Sequence, residues 1–270
     1  MQSEYQNFLY GLKNAYSGNR ILLAEDVDIN AEIVVSLLEG TGAEVTVAKN
    51  GKIALDTFRA DDNFDLILMD IHMPFMDGYT ATKEIRSLPS LKAKAIPIVA
   101  MTANVFREDV ERCLACGMND HIPKPIDQRL MFRKLSVFLH SKPASEEAQA
   151  AAPADCGEPM YFPYIDVEDG LARLMNNRKV YVRLLNVFFE KDLFGTLKKS
   201  LAENDGRAAE LAHSLKGTSA NLALKRCYEV SVGLEQLIIA GKPHDDKLAE
   251  LEVVMKKTAD LVKDLIERLS

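Results

Sequence analysis

Apolar positions change their spacing once along the chain, and the change divides it in two. From Arg20 onward, short apolar runs alternate with helical stripes. The runs at 21–24, 45–48, 66–69, 96–101 and 121–122 are continuous, as in strands covered on both faces. Between them lie Ile29, Ile33, Val34, Leu37 and Leu38 at helical spacing, stopped by Gly40 and Gly42, and further stripes at 53–58, 79–88, 105–116 and 130–139. Five βα units predict an α/β domain over residues 20–140, a five-stranded, doubly wound parallel sheet.

Residues 141–163 break the pattern with Pro143, Pro153, Pro159, Pro163 and an alanine-rich run, the composition of a linker. As a flexible coil it would span about 25–30 Å. From 164 to 270 the period is 3.6 throughout. Val180, Leu184, Leu185 and Phe188 mark one helix, and Leu211, Leu215 and Leu222 a second. Tyr228, Val232, Leu234, Leu237 and Ile238 mark a third, and Leu248, Leu251, Val254, Leu261, Leu265 and Leu269 a fourth. Short connections predict an antiparallel four-helix bundle. Ahead of the sheet, residues 1–19 carry Tyr5, Phe8, Leu9, Leu12 and Tyr16 on one helical face, a short extension that packs on the next domain or on a second copy in a homodimer.

Charge sharpens this picture. The 33 Lys+Arg and 40 Asp+Glu give a net charge of −7. From residue 165 to the end the count is 17 of each sign, so the first part carries the whole excess. An acidic surface argues against nucleic acid as partner. No apolar run approaches the roughly 20 residues of a membrane span, and the first residues lack the features of a secretory signal. Four irregularly spaced cysteines, Cys113, Cys116, Cys156 and Cys227, fit a reducing, cytoplasmic setting.

In such a sheet, ligands bind beyond the carboxyl ends of the strands. Strand one ends in Glu25-Asp26, strand three in Asp70, strand four at Thr102 and strand five at Lys124-Pro125. Three converging carboxylates repel each other, and a hard cation such as Mg²⁺ relieves that repulsion. A lysine beside them neutralises an incoming phosphoryl group, and the Thr102 hydroxyl follows that group by a hydrogen bond. Asp70 would be the nucleophile, forming an acyl phosphate.

These residues resemble the receiver domain of bacterial two-component signalling. The resemblance lies in Leu22-Leu23-Ala24-Glu25-Asp26, Leu68-Met69-Asp70-Ile71-His72-Met73-Pro74-Phe75-Met76-Asp77-Gly78, Ala100-Met101-Thr102-Ala103 and Lys124-Pro125. It implies that Asp70 is the phosphoacceptor and that Asp26 binds Mg²⁺ directly. Glu25 would act through water and the His72 carbonyl would complete the protein ligands. Thr102 and Lys124 would sense the phosphoryl group. The switch aromatic of the family is replaced here by His121, more polar and titrating near neutrality.

In the second domain the informative stretch is Ala212-His213-Ser214-Leu215-Lys216-Gly217-Thr218-Ser219-Ala220. Ala212, Leu215, Ser219 and Leu222 form the inward face, which leaves His213 exposed together with Gly217 and Ala220. A helix-interior glycine costs up to about 1 kcal/mol against alanine, and close approach by a partner explains it. Lys216 lies one turn from His213, within reach of a phosphoryl group on the ring. His213-Ser214-Leu215-Lys216-Gly217 on a helical bundle resembles the histidine-containing phosphotransfer domain. Ala223 and Asn176-Asn177 depart from the family at positions where glycine is common.

Together the resemblances imply a phosphorelay intermediate that is a phosphocarrier and not an enzyme. A sensor histidine kinase phosphorylates Asp70, which exchanges the group with His213 for a downstream response regulator receiver. Two other readings stand beside it. One is a regulatory module that binds a kinase without relaying phosphate; the other is redox control through the Cys113–Cys116 spacing.

Overall fold

The computed structural model describes residues 11–102, 107–139, 162–174 and 176–269. Its contacts divide the chain into two units, Met1–Pro159 and Met160–Ser270. In the first, strands β1 (Arg20–Ala24), β2 (Glu44–Ala48), β3 (Leu66–Asp70), β4 (Ile98–Thr102) and β5 (Asp120–Pro123) form one sheet in the order β2-β1-β3-β4-β5. Every pairing is parallel. The connections hold α1 (Asp28–Glu39), α2 (Gly51–Ala60), α3 (Gly78–Ser87), α4 (Leu91–Ala95) and α5 (Arg107–Ala115), and α6 (Gln128–Phe138) follows β5. This is the doubly wound sheet expected from the sequence, with α4 as an added turn of helix.

Every residue of β3 and β4 is buried, which is why their sequences run apolar without alternation. The edge strand β2 keeps Glu44, Thr46 and Val47 exposed. On one side, Leu22, Ile67, Met69 and Ile98 pack with Ala54, Leu55 and Phe58 of α2, Ile85 of α3 and Cys113 of α5. The alternate residues Ile21, Leu23, Leu68 and Val99 are also fully buried. Burying one such aliphatic chain contributes about 1.5–3 kcal/mol. The chain winds outward from β1 to β2, then crosses to β3 and winds the other way. That reversal opens a crevice beyond the ends of β1 and β3.

Most of the expected N-terminal helix, the Val105 end of the 105–116 stripe, His140 and most of the linker with Cys156 lie outside the described residues. Tyr16 is described and buried. Its amide donates to the Thr41 carbonyl at 2.9 Å, and its ring stacks on Phe132 with centroids 6.3 Å apart. This end of the extension therefore packs on the first unit. Among the described residues no helix is long and apolar enough to cross a membrane. Cys113, Cys116 and Cys227 are buried free thiols. Burial raises the pKa of Cys116 and pushes that of Cys227 up to about 11. Neither is an activated thiolate.

The described part of the second unit is helical, with α7 (Val167–Arg173), α8 (Arg178–Glu190), α9 (Leu193–Glu203), α10 (Ala208–Asn221), α11 (Lys225–Ile239) and α12 (Asp245–Leu269). The four helices read from sequence are α8, α10, α11 and α12. The pattern missed α7, only seven residues long, and α9, which begins after Asp192 breaks the chain with a φ of 40° and caps the new helix through Gly195 N. Both positions that depart from family glycines have left-handed backbone: Asn176 at φ 57° and Ala223 at φ 55°. Asn177 then caps α8 through Val180 N, 3.2 Å away. Around Ala223, Tyr181 donates to the Leu222 carbonyl at 3.0 Å and Asp166 N donates to the Ala223 carbonyl at 2.9 Å.

Candidate functional sites

Because the strands are parallel and in register, their carboxyl ends share one rim: Ala24 pairs with Met69, Asp70 with Met101, and Thr102 with Pro123. The residues just beyond therefore meet. Ligand oxygens of Glu25, Asp26 and Asp70 all lie within 4.8 Å of one another. Lys124 Nζ donates to Glu25 Oε2 at 2.6 Å and to Asp70 Oδ2 at 2.7 Å. These three side chains are almost fully buried, while Asp26 is half-buried.

Burial pushes the Glu25 carboxyl up to about 7, with Lys124 pulling it down and the Asp70 charge raising it further. For Lys124 burial favours the neutral amine, but Asp70 and Glu25 outweigh it and hold the ammonium above its ordinary range. An all-oxygen cluster of this kind suits a hard divalent cation. Thr102 is buried, and its carbonyl accepts from Lys124 N at 2.7 Å, tying the ends of β4 and β5 together. His72 N donates to Asp70 Oδ1 at 3.3 Å.

Two glycines hold the loop after β3 against the site. A Cβ on Gly78 would stand 2.2 Å from the Asp70 carbonyl oxygen, and one on Gly51 2.5 Å from that of Met76. Gly78 N donates to Ile71 O at 2.9 Å, and Gly51 N to Met76 O at 3.1 Å.

Sequence reasoning missed Asn30. This residue of the first turn of α1 is buried, and its amide donates to Glu25 Oε1 at 3.2 Å. Val27 N donates to the same oxygen at 3.3 Å. The available signal was a polar residue beside Ile29 in an otherwise apolar stripe. His121 lies on β5 opposite Ala100, a quarter of its side chain exposed. Its Nδ1 is 3.6 Å from Asp120 Oδ1, which also accepts from Lys134 at 2.5 Å. Burial, and then the Lys134 charge, lower its pKa.

In the second unit Ala212, Leu215, Ser219 and Leu222 are buried as expected. His213 is not fully exposed, however. Its side chain keeps 24% exposure, because α11 packs alongside and brings Glu235 to it. Glu235 Oε1 lies 2.6 Å from His213 Nδ1, and Oε2 accepts from Lys216 Nζ at 2.7 Å. Lys216 Nζ is also 3.4 Å from Nδ1. Burial raises the Glu235 carboxyl, but the bonds from His213 and Lys216 outweigh it and hold the group below its ordinary value. A carboxylate only accepts, so Nδ1 is the donor in this pair, which in the neutral ring leaves the lone pair on Nε2. Glu235 too was missed; its signal was an acidic residue on the buried stripe of Cys227, Val230, Ser231 and Leu234. Gly217 and Ala220 are half-buried, and a Cβ on Gly217 would meet nothing within 4 Å.

Comparison with known proteins agrees with this division. The response regulator receiver domain family matches residues 21–136, and the Hpt domain family matches residues 183–270. Hybrid signal transduction histidine kinase I of Dictyostelium discoideum is 37% identical over 124 residues, 44% of this chain and 7% of that kinase. Histidine kinase 3 of Arabidopsis thaliana is 32% identical over 153 residues, 50% of this chain and 15% of that kinase. The chain thus spans a small fraction of these curated relatives, and the likeness extends beyond bacteria. Among solved structures, the receiver domain of a Pseudomonas aeruginosa sensor histidine kinase, with magnesium in its active-site cleft, is 37% identical. That match has a TM-score of 0.42 and covers 45% of this chain and 98% of that one. With an acidic rim closed by a lysine in one unit and a carboxylate-held histidine in the other, the chain joins a response regulator receiver domain to an Hpt domain, a module of two-component phosphorelay.

Proposed function

We propose that this chain is a phosphocarrier in which Asp70 takes a phosphoryl group from the phosphohistidine of a sensor kinase and exchanges it with His213. His213 then supplies a downstream receiver. The receiver would extend over residues 20–140 and the Hpt domain over 164–270, with 141–163 as tether. The observation that carries this reading is Lys124 Nζ, 2.7 Å from Asp70 Oδ2, inside a cluster of three carboxylates.

A carboxylate oxygen of Asp70 attacks phosphorus as the donor's N–P bond breaks. The electron pair of that bond returns to the imidazole, and Asp70 becomes a mixed anhydride. Lys124 neutralises phosphoryl oxygens, and the Thr102 hydroxyl hydrogen-bonds one of them. Glu25, Asp26, Asp70 and the His72 carbonyl would hold Mg²⁺, which supplies positive charge to the transferring group when bound. In the next step Nε2 of His213 attacks the aspartyl phosphate and Asp70 leaves as carboxylate. Glu235 fixes the tautomer that makes Nε2 the nucleophile and stabilises the cationic ring that forms, while Lys216 meets the phosphoryl charge. Buried free thiols support action in a reducing, cytoplasmic setting.

The test is phosphotransfer from a kinase that phosphorylates receivers only, followed by acid and base lability of the label. Wild type should carry both base-labile acyl phosphate and acid-labile phosphohistidine. The His213→Gln chain should keep only the first, and the Asp70→Asn chain neither. Label on His213 in the Asp70→Asn chain would overturn the order of transfer.

A further inference from the structure

In the loop after β3, Met76 N donates to the Pro74 carbonyl at 2.8 Å, closing a three-residue turn around Phe75 at φ 65°. A γ-turn with positive φ is the rare, strained form, and a bulky residue there is unusual. The turn is imposed from both sides. Gly51 N holds the Met76 carbonyl, Gly78 N holds Ile71, and the Met76 side chain packs against the core. The result is that Phe75 is 93% exposed, beside a proposed phosphoacceptor whose side chain is only 6% exposed. The ring adds almost no packing to the fold, and strain held at a functional rim points to a role in that function.

The site itself limits what can cover this ring. For a histidine phosphate to reach so buried a carboxylate, the surface bearing that histidine must close over the loops of the rim, the Phe75 turn among them. A surface suited to receive a protruding ring has small residues beside its histidine. His213 has Gly217 one turn on, with open space above it, and Ala220 beyond.

We propose that Phe75 is the recognition anchor of the first unit. Its ring seats on the small-residue helix face beside a phosphohistidine, here that of a second copy of this chain. The inference rests on the phosphorelay reading above, and the experiment separates the two.

The acceptor is the His213→Gln chain, alone or with Phe75→Asn or Phe75→Leu. Asparagine tolerates the left-handed backbone and so keeps the turn, while leucine restores an apolar knob. One donor is acetyl phosphate with Mg²⁺, too small to touch Phe75. The other is the Asp70→Asn chain loaded on His213 with phosphoramidate. All acceptors should label equally with acetyl phosphate. With the protein donor, Phe75→Asn should raise KM about tenfold with little change in kcat, as for truncation of an interfacial aromatic, and Phe75→Leu should recover most of the loss. Equal transfer to all three acceptors would overturn the anchor while leaving the relay intact. Parallel loss with both donors would also overturn it, assigning Phe75 to the site's internal geometry. Failure of acetyl phosphate to label Asp70 in the parent acceptor would remove the relay reading, and the anchor with it.

Discussion

Asp70 and His213 are held with very different amounts of structure. Asp70 stands in a cluster built from three strand ends, with Glu25 and Asp26 beyond β1 and Lys124 beyond β5 buried between it and Glu25. His213 leans on one carboxylate from the neighbouring helix and keeps a quarter of its surface open. The proposed relay accounts for the contrast. A carboxylate is a weak nucleophile whose phosphorylated form is a high-energy anhydride, so it needs dense positive charge fixed in a dry crevice. An imidazole is a good nucleophile near neutrality and needs mainly the right tautomer and a clear approach.

The sharpest break of this contrast comes from the two lysines. Lys124→Ala should slow labelling of Asp70 by a small acyl phosphate about 100-fold or more, since one electrostatic donor in such a site carries about 10²–10³. Lys216→Ala should slow transfer into His213 by about tenfold or less, its side chain being more open to water than that of Lys124, 14% against 6%. Equal effects would dissolve the distinction between the sites. Next in size, Glu235→Ala removes a hydrogen bond to a charged group, which contributes about 1.5–3 kcal/mol, and should slow phosphorylation of His213 about 10–100-fold. Labelling of Asp70 should be unaffected; a loss at both sites would point to unfolding instead.

A smaller effect tests how finely the rim is tuned. Asn30→Ala should weaken Mg²⁺ binding about tenfold, the low end for a residue that orients a ligand from behind. Calorimetric titration of the full chain would show it, and unchanged affinity would remove Asn30 from the site. The smallest concerns pH. Glu235 has a folded pKa below its ordinary 4.5. Its contribution to stability is therefore complete above about pH 4.5 and fades as pH falls through the lower folded value. Urea unfolding between about pH 6 and pH 3 should show acid destabilisation in wild type that is reduced in Glu235→Gln. Superimposable profiles would contradict the assignment.

Much of this was legible in the sequence, for identifiable reasons. Buried strands such as Leu66–Asp70 announce themselves as short apolar runs, and the site follows because parallel strands put their ends on one rim. What stayed hidden depends on a second element. A helical wheel for α10 places His213 outward correctly but contains no α11, so it missed both the partial cover and Glu235. The role of Asn30 emerges only once the fold places Glu25 beside it. The break before α9 sits on an aspartate in left-handed backbone, a conformation that glycine would have signalled.

Sequence separation carries one more consequence. Lys124 and Glu25 are 99 residues apart, whereas His213 and Glu235 are separated by only 22. On the ribosome, the carboxylate centre cannot be completed until nearly the whole first unit has emerged, and non-local closure of that kind is slow. Until Lys124 arrives, Glu25 and Asp70 have no ammonium between them. The imidazole centre, built from adjacent helices, matures almost as soon as its own stretch of chain is released.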